Sequence, residues 1–221
     1  MRGPYATVQP EASYAPWTED ERFRAVFATV EDHSLVDVLR AYELWQLVAQ
    51  VRDVPGALLE VGVWRGGTGA LIARRAADLG LDAPVFLCDT FTGVVKSGEH
   101  DPYYEDGKHA DAGADQVRAL LAAVDAPATV LTGIFPEETG DAVTAAAIRL
   151  CHIDVDVYAS ARDVLAWVWP RLPVGGVVVF DDYGFASCPG VTRLVDEQRP
   201  LADRLVVHNL NGHGLLVKVA G

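Results

Sequence analysis

The sequence predicts an α/β domain whose mostly parallel, seven-stranded sheet carries helices on both faces and ends in an antiparallel hairpin. Short apolar runs rich in β-branched residues alternate with helical patterns along the chain, as in sheets whose strands are buried on both faces. Two further β runs, 204–208 and 214–219, flank a turn that contains Asn-Gly, which is typical of a hairpin. One strand of this hairpin must therefore run antiparallel to the rest of the sheet.

The composition indicates one soluble globular domain with an N-terminal extension. The chain has 221 residues, of which 50% are hydrophobic and 22% charged, and its formal net charge at pH 7 is −13. This acidity argues against a nucleic-acid or anionic-membrane surface and favours a small neutral or cationic partner. We find no apolar run that could cross a bilayer and no signal peptide, so we expect a cytoplasmic protein.

The cysteines do not predict a disulfide framework or a zinc site. They are three in number and widely spaced, whereas both kinds of site use closely patterned groups. Cys88 and Cys151 fall inside apparent strands, and we expect them to be small core residues. Cys188 falls in a loop.

The N-terminal region, residues 1–50, is expected to form an arm and two helices that precede the main domain, residues 51–221. Residues 1–18 carry Pro4, Pro10 and Pro16 and suggest an arm without regular structure. A helical pattern begins at Glu19, and a second covers 34–51. The apolar surface of this second helix is unusually wide around Trp45. It therefore covers a site, packs on the sheet, or contacts a second subunit in a homo-oligomer of two or more chains.

The remaining elements follow from periodicity and from glycine and proline breaks. Strands are predicted at 57–63, 84–88, 129–132, 148–153 and 176–180, and helices at 70–79, 114–124, 141–147, 160–172 and 190–197. Between them, residues 93–113 are polar and rich in turn formers. A segment of this length is a lid, a binding loop or a disordered stretch.

Four aspartates follow two of the predicted buried strands. Asp154 and Asp156 come directly after 148–153, and Asp181 and Asp182 directly after 176–180. A crossover through one helix makes the two strands parallel, so both carboxyl ends lie on the rim where open α/β sheets bind ligands. Like charges crowded together repel unless a cation neutralises them, and oxygen ligands suit Mg²⁺ or Ca²⁺. The alternative is that these are solvated strand-end or helix-capping acids.

The turn after the first strand has the pattern Glu60-x-Gly62-x-x-x-Gly66. Such a turn brings backbone N–H groups and a helix N-terminus up to a ligand. The G-x-G-x-x-G fingerprint of dinucleotide enzymes is broken here by Trp64, and the remaining pattern looks like the first motif of S-adenosylmethionine-dependent methyltransferases. Asp89 ends the next strand, where an acid can accept both hydroxyls of a ribose. The alternative is a purely structural turn between strand and helix.

The motifs taken together resemble the macrocin O-methyltransferase family, within the class I methyltransferase fold. The segments that carry the resemblance lie between Ser34 and Glu197 and read LLEVGVWRGGTGAL, CDTFTGV, GIFPEET, HIDVDVY and GGVVVFDDYG. The last two are the most specific. The resemblance implies use of S-adenosylmethionine and Mg²⁺ to methylate a sugar hydroxyl of an antibiotic.

The resemblance also implies roles for individual residues. The expected metal ligands are Asp154, Asp181 and Asp182, and the expected general base is Asp156, with the lid residue His109 next in line. His100 is a weaker candidate, and His152, inside a strand, is expected to be a buried core or supporting residue. The expected cofactor-binding residues are Glu60, Gly62, Val63, Trp64, Thr68, Asp89, Thr90, Phe91 and Asp154.

These observations predict an O-methyltransferase that acts on a hydroxyl of a small molecule, most readily a deoxysugar of a glycosylated natural product. Two adjacent oxygens bind a metal better than one, so the expected acceptor is a vicinal diol, and a catechol is the first alternative. A second alternative is a phosphatase of the haloacid dehalogenase type, whose D-x-D-x-[TV] motif matches Asp154 to Val157. That fold needs a lysine-bearing segment before its second acidic pair, and no lysine lies between Tyr158 and Asp182. A third alternative is a non-catalytic subunit that only binds cofactor or metal.

Overall fold

The computed structural model describes residues 4–9 and 11–221. Of the predicted arm, Pro10 lies outside the described residues, and the described part has no helix or strand before a 3₁₀ turn at Pro16–Thr18. The helices are α1 Glu21–Val30, α2 Val38–Gln50, α3 Gly67–Asp78, α4 Ala114–Ala123, α5 Tyr158–Val168 and α6 Pro189–Asp196. The strands are β1 Ala57–Val61, β2 Val85–Asp89, β3 Thr129–Thr132, β4 Ile148–Ile153, β5 Val177–Phe180, β6 Arg204–His208 and β7 Gly214–Lys218.

The strands form one seven-stranded sheet in the order β3-β2-β1-β4-β5-β7-β6. Strands β1 to β5 pair in parallel, whereas β7 is antiparallel to both of its neighbours, β5 and β6. The predicted fold class is confirmed, including the single reversed strand of the hairpin. After β1 the chain continues to β2 on one side of the sheet, and after β4 it continues to β5 on the other side. A crevice opens above the strand ends between β1 and β4, where the strand order reverses.

Alternate residues of the central strands supply two separate cores, one on each face of the sheet. Leu58 packs with helices α1 to α4, and the next residue, Leu59, packs with α5 and α6 on the other face. The same alternation places Val179 in the first core and Val178 in the second. Side chains in a strand alternate between faces with a period of two. These strands are apolar on both faces for that reason.

Helix α2 is covered by this chain itself, which removes the sequence-based reason for expecting self-association. Trp45 is fully buried, and its ring lies edge-on to Phe23 of α1 at 5.8 Å between centroids. The indole Nε1 donates to Asp20, whose other carboxylate oxygen caps the start of α1. The wide apolar surface is therefore an internal contact of α2 with α1 and α3.

Two predicted helices differ from the structure. The predicted helix at 141–147 is wrong: a 3₁₀ turn at Gly140–Ala142 is followed by irregular chain. The carbonyl of Ala147 accepts from the N–H of Ala57, so this end of the segment extends beside β1, and seven residues are too few to hold a helix against that pairing. Helix α2 starts at Val38 rather than at Ser34, because the carboxylate of Asp37 caps its first N–H groups.

The other predicted helices and strands are present with shifted ends: α3 begins at Gly67 rather than Ala70, and α5 ends at Val168, before a 3₁₀ turn at Trp169–Arg171. Residues 93–113, called the lid loop below, contain turns but no helix or strand. All three cysteines are free and buried. Among the residues that the structure describes, no helix is both long and apolar enough to cross a bilayer.

Candidate functional site

A cavity of about 400 Å³ opens at the carboxyl ends of the parallel strands, the rim to which the sequence assigned the ligands. The segments that follow β1, β2, β3, β4 and β5 each contribute to its wall, as do the lid loop and the turn before α2. Its volume is within the range of sites for cofactor-sized molecules. Seven of the predicted cofactor-binding residues line it: Gly62, Val63, Trp64, Thr68, Asp89, Thr90 and Asp154. Glu60 and Phe91 do not.

The turn between β1 and α3 needs glycine because two loops pass within contact distance there. Gly62 has a φ of +88°, and a Cβ built on it would lie 1.7 Å from the carbonyl oxygen of Asp154. Any other residue would push the chain after β1 away from the chain after β4. The first turn of α3 is capped by Gly66 without a side-chain hydrogen bond, so its N–H groups are available at this end of the site.

Glu60 lies beneath this turn. It is fully buried in β1, and its Oε1 is 2.8 Å from Nδ1 of His152 in β4. A Cβ on Gly69 of α3 would lie 2.5 Å from its other oxygen. Glu60 therefore supports the floor of the cavity and joins β1, β4 and α3.

Asp89, at the end of β2, ties the first two loops of the site together. Its Oδ2 accepts from the backbone N–H groups of Val63 and Trp64 at 2.6 and 2.8 Å. Its Oδ1 accepts from the N–H of Phe91 at 2.7 Å. The carboxylate faces the cavity with three of its hydrogen bonds already made. Asp89 thus fixes the β1–α3 turn, a role that the sequence did not predict. Its remaining lone pairs can still accept from a ligand.

Three of the four rim aspartates come together as predicted. One oxygen from each of Asp154, Asp181 and Asp182 lies within 4.8 Å of the others. Burial, and then the charge of the neighbouring carboxylates, raises the pKa values of Asp154 and Asp182 well above the ordinary range. Oδ2 of Asp182 is buried and has no hydrogen-bond partner within the described part of the chain. An oxygen-only cluster with an unpartnered buried oxygen fits a hard divalent cation such as Mg²⁺.

Asp181 differs from its neighbours because a guanidinium and an imidazole already contact it. Its Oδ2 accepts from the guanidinium of Arg40 in α2, and its Oδ1 lies 3.0 Å from Nε2 of His213 in the hairpin. Burial pushes its pKa upward, but the neighbouring His152 and His213 and the charge of Arg40 hold the pKa below the ordinary value. Arg40 therefore offsets part of the negative charge of the cluster.

Asp156 lies beside this cluster, under the lid loop. It has a φ of +64°, a conformation that aspartate adopts at some cost, and it shares a close grouping with Asp182 and Cys188. Burial raises its pKa, although the hydroxyl of Tyr104 hydrogen bonds to it. A carboxyl group with a raised pKa beside a cation site is suited to accept a proton near neutral pH.

The lid loop supplies the roof over Asp156. Tyr104, Lys108 and His109 all line the cavity, and Nζ of Lys108 lies 3.8 Å from the centroid of the Tyr104 ring. The loop is anchored on α5, where Asp101 accepts from the N–H of Tyr158 at 2.9 Å and so caps the helix. Three residues of the site were not singled out by the sequence, namely Arg40, Tyr104 and His213.

The histidines fall into distinct places. His109 lines the cavity, whereas His100 lies at the outer edge, stacked edge-on against Tyr158 and 3.3 Å from Nη1 of Arg193. His152 is fully buried and bonded to Glu60, which confirms that it is a core residue. Burial lowers its pKa, but the contacts with Asp181 and Glu60 outweigh burial and raise the pKa to about 10.

The fold and this rim define a class I methyltransferase. Among solved structures, the O-methyltransferase NovP matches with a TM-score of 0.75 and 27% identity, over 85% of this chain and 82% of that one. The calicheamicin methyltransferase CalS11 shares the fold, with a TM-score of 0.69 and 19% identity over 93% and 94% of the two chains.

The chain belongs to the macrocin O-methyltransferase family, whose sequence pattern matches residues 7–208. Demethyldecarbamoylnovobiocin O-methyltransferase of Streptomyces niveus is 33% identical over 200 residues, 81% of this chain and 74% of that protein. Mycinamicin III 3''-O-methyltransferase of Micromonospora griseorubida is 29% identical over 191 residues, 79% of this chain and 74% of that protein. The protein is therefore an O-methyltransferase, and the phosphatase alternative no longer has support.

Proposed function

We propose that this protein methylates a sugar hydroxyl of a glycosylated natural product, using S-adenosylmethionine and Mg²⁺. The observation that carries the proposal is the cluster of Asp154, Asp181 and Asp182, of which Asp181 is buried and the other two are half-buried, beside Asp156 on the wall of the same cavity as the β1–α3 turn. The relatives' names support the acceptor class, since they refer to novobiocin, to mycinamicin and to a rhamnosyl tetracenomycin.

Two groups of residues on the cavity wall differ in character. Gly62, Trp64 and Asp89 follow β1 and β2, and we place the cofactor against them. Phe185 and Ser187 follow β5; we place the acceptor there, because a hydroxyl group and an apolar ring suit a sugar attached to a larger molecule. The aspartate cluster lies on the shared wall.

Each group in this arrangement has a defined part in the reaction. When bound, S-adenosylmethionine supplies an activated methyl group, and Mg²⁺ supplies Lewis-acid chemistry that makes a sugar hydroxyl more acidic and orients it. Asp154, Asp181 and Asp182 hold the cation. Asp156 accepts the hydroxyl proton, and the hydrogen bond from Tyr104 orients its carboxylate. The lid loop excludes water from the reacting groups.

The first test measures methyl transfer by the wild type in Mg²⁺ and in EDTA. It then measures methyl transfer and ligand binding by two variants, Asp182→Ala and Asp156→Asn. Asp182→Ala removes a metal ligand, so we expect it to lose methyl transfer and Mg²⁺ binding while S-adenosylhomocysteine still binds. Asp156→Asn keeps the cluster, so we expect it to bind both ligands and to lose at least about 100-fold in turnover. Full turnover in EDTA would refute the metal role. Wild-type turnover by Asp156→Asn would move the base elsewhere, with His109 the next candidate.

Self-association and a cytoplasmic location stay predictions. Light scattering of the purified chain tests the first, and fractionation of the producing cell tests the second. A non-catalytic role is tested by the same methyl-transfer assay, because such a subunit would bind S-adenosylhomocysteine without turnover on any sugar acceptor.

A further inference from the structure

A continuous set of contacts links helix α2 to the aspartate cluster through the C-terminal hairpin. Oε2 of Glu43, in α2, lies 2.5 Å from Nδ1 of His213, and Nε2 of His213 lies 3.0 Å from Oδ1 of Asp181. His213 is fully buried. Each ring nitrogen thus faces one carboxylate oxygen at hydrogen-bond distance, so the ring bridges α2 and the aspartate cluster.

The hairpin turn is built around Glu43. The side-chain amides of Asn209 and Asn211 both donate to its carboxylate, and Oδ1 of Asn211 accepts from the N–H of His213 at 2.9 Å. Asn209, Asn211 and His213 therefore all contact the Glu43 carboxylate, and this carboxylate fixes the plane of the His213 ring. Such a set leaves the ring little freedom to rotate away from Asp181.

Arg40 acts on the same carboxylate from the same helix. It lies one turn before Glu43 on α2, and its guanidinium donates to Oδ2 of Asp181 while Nε is bonded to Asp37. Both oxygens of Asp181 are thus contacted from outside the cluster, and Nε2 of His152 also lies 3.7 Å from Oδ1. Each carboxylate oxygen has a second lone pair, and these are the positions that Asp181 can offer to a cation.

We propose that His213, oriented by Glu43, is a positioning residue that works with Arg40 to fix the lone pairs of Asp181 toward Asp154 and Asp182. This inference rests on the proposed metal site and deepens it. The consequence is that the affinity of the site for Mg²⁺ depends on a histidine and a glutamate that do not touch the ion. Residues that orient metal ligands in this way contribute about 10- to 100-fold to metal affinity.

The test is a calorimetric titration of Mg²⁺ into the full-length chain, repeated with S-adenosylhomocysteine as the titrant. His213→Leu keeps the ring's approximate volume but removes both ring nitrogens, so we expect Mg²⁺ affinity to fall about 10- to 100-fold. His213→Gln places an amide donor near the Nε2 position, so we expect it to recover most of that loss. Affinity for S-adenosylhomocysteine should stay unchanged in both variants.

Two further variants complete the experiment. Glu43 is the partly exposed residue in this series of contacts, so Glu43→Gln tests the inference even if His213→Leu does not fold. We expect Glu43→Gln to cause a smaller but measurable loss of Mg²⁺ affinity. His208→Gln is the matched control, because His208 lies in the same hairpin but is exposed and stacks on Tyr183 instead of contacting the cluster. It should bind Mg²⁺ as the wild type does.

The outcomes separate this inference from the proposed function. If the wild type binds no Mg²⁺, the proposed metal-dependent function fails and the inference fails with it. If the wild type binds Mg²⁺ and neither Glu43→Gln nor a folded His213 variant changes the affinity, the inference alone is refuted. Equal losses of Mg²⁺ and S-adenosylhomocysteine binding would also overturn it, because they would indicate general destabilisation.

Discussion

Replacing Asp89 by asparagine tests whether this residue builds the cofactor site as well as facing it. The carboxylate accepts three backbone N–H groups, two on Oδ2 and one on Oδ1. Asparagine has one acceptor oxygen and one NH₂ group in the same volume. Whichever way its amide turns, the NH₂ group faces at least one backbone donor, so at least one hydrogen bond is lost.

The expected loss can be worked out from this count. A hydrogen bond to a charged group contributes about 1.5–3 kcal/mol. The Asp89→Asn variant would lose one or two such bonds and would weaken the remainder, so we expect about 2–4 kcal/mol less stability. In a chain of this length that corresponds to a fall of roughly 4–16 °C in Tm. Because the bonds from Val63 and Trp64 fix the β1–α3 turn, affinity for S-adenosylhomocysteine should fall at least about tenfold.

The assay is differential scanning fluorimetry with and without S-adenosylhomocysteine, followed by calorimetric titration of that ligand. Asp111→Asn is a matched control, because Asp111 also bonds to Trp64, through the indole Nε1 at 2.7 Å, but is exposed. We expect the control to stay within about 1 kcal/mol of the wild type. An Asp89→Asn variant with wild-type Tm and wild-type ligand affinity would refute the role assigned to this carboxylate.

Three other predictions follow from particular contacts. Gly62→Ala should lower the free energy of unfolding by at least about 3 kcal/mol, because its Cβ would lie 1.7 Å from a backbone oxygen. Gly80→Ala is the control, since Gly80 has a φ of +63° but open space around it. It should lower the free energy of unfolding, measured in urea, by only about 1 kcal/mol. Tyr104→Phe should lower kcat about tenfold without changing S-adenosylhomocysteine affinity, and an exposed neighbour, Tyr103→Phe, should not; equal kcat values would contradict the orienting role. The hydrogen bond from Arg22 of α1 is the main cause that lowers the pKa of Asp78 in the folded protein. The ion pairs of Asp78 therefore stabilise the folded state at pH values above the pKa of the unfolded chain. This stabilisation is lost as the pH falls through the pKa of the folded state. The stability difference between wild type and Asp78→Asn, about 0.5–1 kcal/mol near neutrality, should shrink as the pH falls below the ordinary carboxyl pKa of 3.8; a constant difference in urea titrations across this range would refute it.

The parts of the site that follow strands in the sequence could be predicted from it. Asp154 and Asp181 each come directly after a buried apolar run, and parallel strands must end on one rim. Asp89 is placed at the ligand rim by its position at the end of the second strand, and the structure adds that β1 and β2 are adjacent and in register. Strand direction and the ligand rim therefore follow from local patterns, whereas the strand order does not.

The residues that reach the site from a distance could not be predicted in this way. Arg40 is 141 positions from Asp181, and only its place within an otherwise apolar helix face could have drawn attention to it. His213 follows an ordinary hairpin turn and Tyr104 lies in a polar loop, so neither carries a local signal. Glu60 is the opposite case, a residue that the motif indicated but that does not line the cavity. Its motif position suggested a ligand contact, whereas its side chain is enclosed between β1, β4 and α3.

The contact between Glu43 and His213 joins positions 170 residues apart, which has a consequence during synthesis of the chain. All four rim aspartates leave the ribosome before the hairpin does, together with Arg40. Until β7 enters the sheet beside β5, Asp181 lacks its contact with His213, and contacts so distant in sequence form late. An unfinished chain would therefore carry the acids without full support for Asp181, and we expect full affinity for a cation only after β7 has paired with β5.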